Sequence, residues 1–244
     1  MSETVEILLA TRDSADHLPA LLDSLAAQTR ADFRLVVGDD CSTDDTLAIV
    51  EAHAPRFAHP PAIVRRARPT RSASANFSAL LEASTADYAL LCDHDDVWLP
   101  EKVASAVNRL RALEARHGRE TPLLTHSDLV VVDDDLREIA PSYWRFKSIA
   151  PEFGTRLPTA LMHASVTGCA SAMNRALVAR AGAITPEAVM HDWWLNLAAV
   201  AFGAVDFDPE PRILYRVHGR NVSRPEKVSL ASMLLRKAKA FGVR

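Results

Sequence analysis

Tyr88-Ala89-Leu90-Leu91-Cys92-Asp93-His94-Asp95-Asp96-Val97-Trp98-Leu99-Pro100-Glu101-Lys102 is an apolar run that stops at three carboxylates within four positions. Such a run reads as a buried strand with an acidic C-terminal end. Open α/β sheets bind ligands outside the carboxyl ends of their strands. Converging carboxylates repel one another unless a cation or a donor-rich ligand neutralises them. Hard oxygen donors suit magnesium or manganese, which also bind substrate phosphates. The stretch therefore predicts a divalent metal, Mg or Mn, holding a diphosphate; the plainer reading is a solvated acidic turn.

Upstream, the same strand-to-helix rhythm repeats. Val5 to Ala10 is apolar and ends at Thr11, Arg12, Asp13 and Ser14, and Leu18, Leu21, Leu22 and Leu25 follow at helical spacing. Phe33 to Gly38 predicts a second strand, ending at Asp39 and Asp40 before Cys41, Ser42 and Thr43. Ser42 or Thr43 is expected to cap the next helix, with Asp44 and Asp45 in its first turn. Asp39 and Asp40 are left for a ligand, and a carboxylate is suited to accept the imide proton of uracil or thymine. A third strand near Ala62 to Arg66 leads through Arg68 and Arg71 to a helix carrying Phe77, Leu80 and Leu81. Arg71 is a candidate phosphate contact, whereas Arg65 and Arg66 read as ordinary exposed arginines.

Downstream of the acidic stretch, Val103, Val107, Leu110 and Leu113 mark a helix ending at Gly118. Four strand–helix units predict a mostly parallel central sheet with helices on both faces. Beyond residue 118 the rhythm breaks. Leu123 to Asp133 is strand-like, Tyr143 to Pro158 is irregular, and Ser165 to Met173 is a short strand containing Gly168 and Cys169. His191, Asp192, Trp193 and Trp194 open an apolar helix that runs to Gly203, and strands at Ala204 to Phe207 and Ile213 to Val217 deliver His218.

Composition bounds the class. The 244 residues are 48% hydrophobic and 24% charged, which is ordinary for a globular chain and long enough for one large α/β domain. A net charge of −3 provides no general basic field, arguing against nucleic acid as a partner. Three cysteines are too few for a disulfide framework, and without a signal-like segment the expected location is cytoplasmic. From Arg212 onward, however, nine Arg and Lys residues face Glu226 alone. With Met233, Leu234, Leu235 and Phe241 interspersed, residues 223–244 read as a basic amphipathic tail. It is either an interfacial helix at the inner membrane surface or a solvated terminus.

Four stations thus stand in order: Ala10-Thr11, the Asp39-to-Asp44 turn, Asp93-His94-Asp95-Asp96 with Trp98, and His191-Asp192 with Trp193. Together they resemble a family-two inverting glycosyltransferase of the A-type nucleotide-diphospho-sugar fold over roughly residues 5 to 222. The strings His191-Asp192-Trp193-Trp194 and Tyr215-Arg216-Val217-His218-Gly219-Arg220-Asn221 look most like the rhamnosyltransferase-like branch.

The resemblance implies a single domain, residues 1–222, with a nucleotide-sugar half (1–118) and an acceptor half (119–222). It implies a dTDP- or UDP-sugar donor and a saccharide acceptor, often lipid-linked. It places Thr11, Asp40, Arg71, Asn76 and Asp93 on the donor, and Asp95, Asp93 and His218 on the metal. Asp192 becomes the general base, with Gly168, Cys169, Trp193 and Trp194 on the acceptor side. Ala75 stands where many relatives carry a basic residue, shifting the diphosphate contact to Arg71, Arg220 or the metal. Taken one at a time, these residues have plainer uses: Asp192 as a helix cap, the two tryptophans and Cys169 as core, His191 as a packing or hydrogen-bonding residue, and His218 as a satisfied interior histidine.

Two other classes fit less well. A sugar nucleotidyltransferase needs a glycine-rich loop after its first strand, where this chain has Ala10, Thr11, Arg12 and Asp13. A calcium-binding loop of the EF-hand type needs glycine at its sixth place, where Trp98 stands. A catalytically inactive nucleotide-sugar-binding relative would bind donor without turnover.

Overall fold

The computed structural model describes residues 3–185, 188 and 190–219. The first half runs β1 (Val5–Thr11), α1 (Leu18–Ala26), β2 (Arg34–Asp39), α2 (Thr46–His53), β3 (Ala62–Arg65), α3 (Ala73–Ala83), β4 (Tyr88–Asp93), β5 (Val97–Trp98) and α4 (Lys102–His117). The second runs β6 (Leu123–Ser127), β7 (Val130–Val132), β8 (Glu138–Ala140), α5 (Tyr143–Lys147), α6 (Leu157–Ala160), β9 (Ala172–Asn174), α7 (Arg175–Ala181), α8 (His191–Phe202), β10 (Ala204–Asp208) and β11 (Ile213–Arg216).

Seven strands form the main sheet in the order β10-β6-β9-β4-β1-β2-β3. β1 pairs in parallel with β2 and β4, β2 with β3, and β6 with β10; β9 alone enters antiparallel, between β4 and β6. The period-two geometry of β1 divides the core. Val5, Ile7 and Leu9 pack with the leucines of α1 and with Val103, Val107 and Leu110 of α4. Leu8 and Ala10 pack on the other face with Phe77, Leu80 and Leu81 of α3 and with Leu195 and Ala199 of α8. Burial on both faces is why these strands read as unbroken apolar runs rather than alternating ones.

Several local expectations are corrected. Leu123 to Asp133 is two strands in different sheets, because Asp128 turns the chain: its carboxylate accepts the N–H groups of Leu129 (2.8 Å) and Trp144 (3.1 Å). β7 then joins a second sheet in the order β5-β11-β7-β8. The predicted strand from Ser165 begins only at Ala172, since Gly168–Ala170 forms a 3-10 turn. Neither Ser42 nor Thr43 caps α2. Asp44 instead accepts from the Thr46 N–H (3.0 Å) and from Ala15 N–H (2.9 Å), tying two loops together. Asp39 is consumed by the same turn, accepting the Ser42 N–H (3.2 Å) and hydroxyl.

The junction of α8 and β10 is held by close backbone approach. A Cβ added at Gly203 would stand 1.8 Å from the Pro122 carbonyl oxygen, which also accepts the Ala204 N–H at 3.0 Å. Gly203→Ala must therefore push β10 away from the start of β6, and overpacking of this kind costs about 3 kcal/mol. A urea titration reads the loss as a lower midpoint; an unchanged midpoint would mean that the two segments separate freely.

Candidate active site

The register brings the ends of β1, β2 and β4 to one edge, with Ala10 opposite Asp93 and Thr11 opposite Asp39. The loops leaving this edge and the first turn of α8 enclose a cavity of about 560 Å³. Its wall includes Thr11, Arg12, Asp40, Arg71, Asn76, Asp93, Asp95, Gly168, Asp192 and Tyr215. Nearly one hundred residues separate Asp95 from Asp192 in sequence, yet both face the same space.

β11 holds the acidic turn in place. The Arg216 N–H donates to Asp96 Oδ1 (3.1 Å), Arg216 Nε to the Asp95 carbonyl (2.8 Å), and its guanidinium also reaches the Asp134 carbonyl. His218 places Nε2 2.9 Å from Asp95 Oδ2 and stacks on His17, which in turn bonds Asp134 at 2.7 Å. His218 thus sits beside the acidic turn with its Nε2 engaged by Asp95.

Electrostatics single out this turn. Burial, then the nearby Asp95 and Asp192 carboxylates, push the Asp93 carboxyl up to about 7. Asp96 is raised well above the usual range by burial and by Asp95 and Asp93, against the opposing hydrogen bonds from Cys169 and Arg216. Burial together with Asp96 and Asp93 also raises the Cys169 thiol, so it remains S–H and donates to Asp96. Donor atoms of Asp93, Asp96 and Cys169 lie within 4.8 Å of one another. Asp96 and Cys169 are fully buried behind the wall, so the groups offered to the cavity are the carboxylate oxygens of Asp93 and Asp95. That donor set fits Mg or Mn and disfavours a thiophilic ion.

The opposite walls are built differently. Asp40 accepts the N–H groups of Thr70 and Arg71, both at 2.7 Å, and its Oδ2 lies 3.5 Å from Arg12. Burial works to raise this carboxyl; the Thr70 and Arg71 hydrogen bonds and the Arg12 charge outweigh it and leave Asp40 below the ordinary range. Arg71 adopts φ +56, which turns the loop back toward Asp40. Asn76 donates its amide to the Gly38 carbonyl (2.7 Å), so it braces the ends of β1 and β2 while lining the cavity. Thr11 turns its hydroxyl toward Gly38 O at 3.3 Å.

Asp192 lies in the first turn of α8, whose N-cap is Met190, so it is not the cap. Its carboxylate accepts the Trp193 N–H at 2.7 Å and the Gly168 N–H at 3.2 Å. A Cβ on Gly168 would meet His191 Nε2 at 2.5 Å, so glycine here lets the cavity wall close on α8. His191 is buried against Phe77, its ring centroid 4.4 Å away, in the packing role expected of it.

Three residues expected on the acceptor side lie off the cavity wall. Trp193 and Trp194 are absent from the cavity wall: their indoles donate to Ala160 O (2.7 Å) and Ala181 O (3.2 Å), bracing α8 against α6 and α7. Helical geometry turns both away from the face that Asp192 presents. Cys169 is fully buried behind Gly168. Arg12, Met190 and Tyr215 also line the cavity, and no spacing in sequence marks a lone residue for a wall assembled from distant loops. Arg220, Asn221 and the tail 223–244 lie outside the described residues.

Residues 6–117 match the family described as Glycosyl transferase family 2. An uncharacterized Mycobacterium tuberculosis protein is 27% identical over 224 residues, covering 89% of this chain and 60% of its own length. S. aureus TarS (residues 1–349), in complex with UDP-GlcNAc, superposes with a TM-score of 0.67 at 18% identity, over 93% of this chain and 62% of that 1–349 chain. The mannosyltransferase PcManGT from Pyrobaculum calidifontis, in complex with GDP-Man and Mn2+, gives 0.67 at 19% identity, over 91% of this chain and 59% of its own. The fold is accordingly the A-type nucleotide-sugar transferase fold in a single α/β domain. The chain spans about 60% of the length of these similar proteins.

Proposed function

We propose that this chain is a metal-dependent inverting glycosyltransferase that moves a sugar from a nucleoside-diphosphate donor to a hydroxyl of a saccharide acceptor. The observation that carries this reading is the shared cavity, with crowded carboxylates at Asp93 and Asp95 on one wall and the Asp192 carboxylate on another. The solved complexes with UDP-GlcNAc and with GDP-Man and Mn2+ support a nucleotide-sugar and a divalent cation in such a fold. Residues 1–118 form the nucleotide-sugar half and 119–222 the acceptor half.

Asp40 is held ionised and can only accept hydrogen bonds. Its oxygens have capacity beyond the Thr70 and Arg71 N–H groups, which suits the imide N–H of uracil or thymine. Asp93 and Asp95 would hold a divalent metal, with His218 fixing Asp95 and Arg71 placed to reach the diphosphate. A divalent cation bound there supplies Lewis-acid stabilisation of the departing diphosphate. Asp192 takes the proton of the acceptor hydroxyl as that oxygen bonds to the anomeric carbon and the bond from that carbon to the diphosphate breaks. Attack from the face opposite the leaving group inverts the anomeric centre, by the geometric logic of single-displacement glycosidases. The strings at 191–194 and 215–221 favour rhamnose carried on dTDP, with a lipid-linked saccharide as acceptor.

A thermal-shift panel of nucleotide-sugars with manganese or with chelator tests the donor assignment. A dTDP- or UDP-sugar is expected to raise the melting temperature by about 5 °C at roughly hundredfold excess over Kd, and only with metal. Equal shifts with chelator remove the metal; no shift with any nucleotide-sugar removes the donor reading.

A further inference from the structure

Among the described residues, four of the large apolar side chains most exposed to solvent fall within ten positions: Phe153 (40%), Leu157 (39%), Leu161 (56%) and Met162 (65%). They form one patch. The Phe153 and His163 rings lie 5.0 Å apart, closing the two ends of the segment on each other, and the Thr159 hydroxyl donates to the Phe153 carbonyl at 2.8 Å. Leu157 and Leu161 are four apart around α6, as are Pro158 and Met162, so each pair shares a side of this turn. The inner side is occupied: Ala160 is fully buried and its carbonyl takes the Trp193 indole N–H. The apolar residues are therefore left on the outside of an element anchored to the helix that carries Asp192.

Along residues 145–163 cations outnumber acids. No Asp or Glu occurs from Phe153 to Thr185, while Arg156 is exposed within the segment and Arg145 and Lys147 precede it on α5, with Glu152 the sole acid between. Exposed apolar side chains with a basic rim are what an anionic bilayer surface recognises: apolar groups enter the headgroup boundary and cations meet phosphate. A soluble carbohydrate would need polar groups here, and an acidic protein partner would leave the four apolar side chains unmatched.

We propose that the 153–162 segment, with Arg145, Lys147 and Arg156, is a docking face for an anionic lipid bilayer. The face lies beside the acceptor side of the cavity, since the segment leads directly into Thr167 and Gly168 of the cavity wall. Docked there, the protein receives an acceptor hydroxyl carried at the lipid surface. That use rests on the transferase reading; the binding itself does not.

Vesicle flotation of the full chain tests the face without donor, metal or catalysis. The parent is expected to float with vesicles containing phosphatidylglycerol and to remain at the bottom with phosphatidylcholine alone. Leu161→Asp with Met162→Asp should reduce the floating fraction about tenfold, and Arg145→Glu with Arg156→Glu should do the same while leaving the apolar face intact. Both pairs are exposed positions, and an unchanged melting temperature shows that the variants fold. Flotation of both double variants at the parental level overturns the proposal and moves any lipid contact elsewhere, the basic tail included. A parent that never floats, or one whose patch instead mediates dimers that Leu161→Asp with Met162→Asp dissociates in sedimentation, overturns it as well. A chain that floats through this face yet is stabilised by no nucleotide-sugar retains the docking face and loses the transferase reading.

Discussion

Asp192→Asn is expected to bind nucleotide-sugar and metal as the parent does and to transfer sugar on the order of 10²- to 10⁴-fold more slowly, the usual worth of a positioned base. The substitution is nearly isosteric, and the amide oxygen can still accept one of the two backbone N–H groups, from Gly168 or Trp193, that hold the carboxylate now. What it cannot do is take a proton from the acceptor. Removing a negative charge that presses on Asp93 leaves donor binding unharmed or improved, because the donor brings negative phosphates into the same cavity. Rates at saturating donor and acceptor, set beside the thermal shift, separate the two effects. Transfer at the parental rate would take the base away from Asp192.

Asp93→Asn is expected to move stability and function in opposite directions. Asp93 is partly open to the cavity, and its carboxyl sits at about 7 in the fold against an ordinary 3.8. Below 3.8 it is neutral in both folded and unfolded chains and costs nothing. As pH rises from there, the unfolded chain releases the proton first, so folding stability falls until the folded group also ionises near 7. At pH 8 in chelator, Asn should therefore stabilise the fold, by about 2 kcal/mol once solvent access is allowed for. At pH 4 the gain should shrink toward zero. The same variant should lose the metal-dependent donor shift, because one of the oxygens that make the metal site attractive is gone. Asp95→Asn should weaken it too, since the amide keeps a hydrogen bond to His218 but no longer carries the negative charge. Denaturation at the two pH values and the donor shift at pH 8 give independent readouts. Equal stability of parent and variant at pH 8 would show that the carboxylates are not crowded in the metal-free protein. These trends fit a site whose strain is relieved by its ligand, as is common where function and stability compete.

The acidic turn illustrates how far residue order reaches. Cys92 and Leu91 announce burial, Asp93 announces the strand end, and a chain of strand–helix units leaves few topologies besides a parallel sheet. From there the placement of Thr11, Asp40 and Asp93 on one edge follows, since parallel strands carry their C-terminal ends to the same side. Asp192 is a different case. It was read from a string of residues, and only packing of α8 against α3 and α6 brings its carboxylate to the cavity. The tryptophans beside it show the converse: the resemblance puts Trp193 and Trp194 on the acceptor side, but their indole N–H groups donate to the carbonyls of Ala160 and Ala181, and neither ring lines the cavity.

Local sequence determined the β1-to-α4 order, the two-faced burial of its strands and the carboxylates at their ends, because periodicity and strand termination are encoded within a few neighbouring residues. Tertiary structure alone decided that β9 enters antiparallel, that β5, β7, β8 and β11 make a separate sheet, and that Arg216 and His218 close on Asp95 and Asp96. It also decided the exposure of the 153–162 patch. Those outcomes depend on contacts between residues tens to more than a hundred positions apart, where the free energy of packing and hydrogen-bond satisfaction chooses among arrangements that a short window of sequence leaves equal.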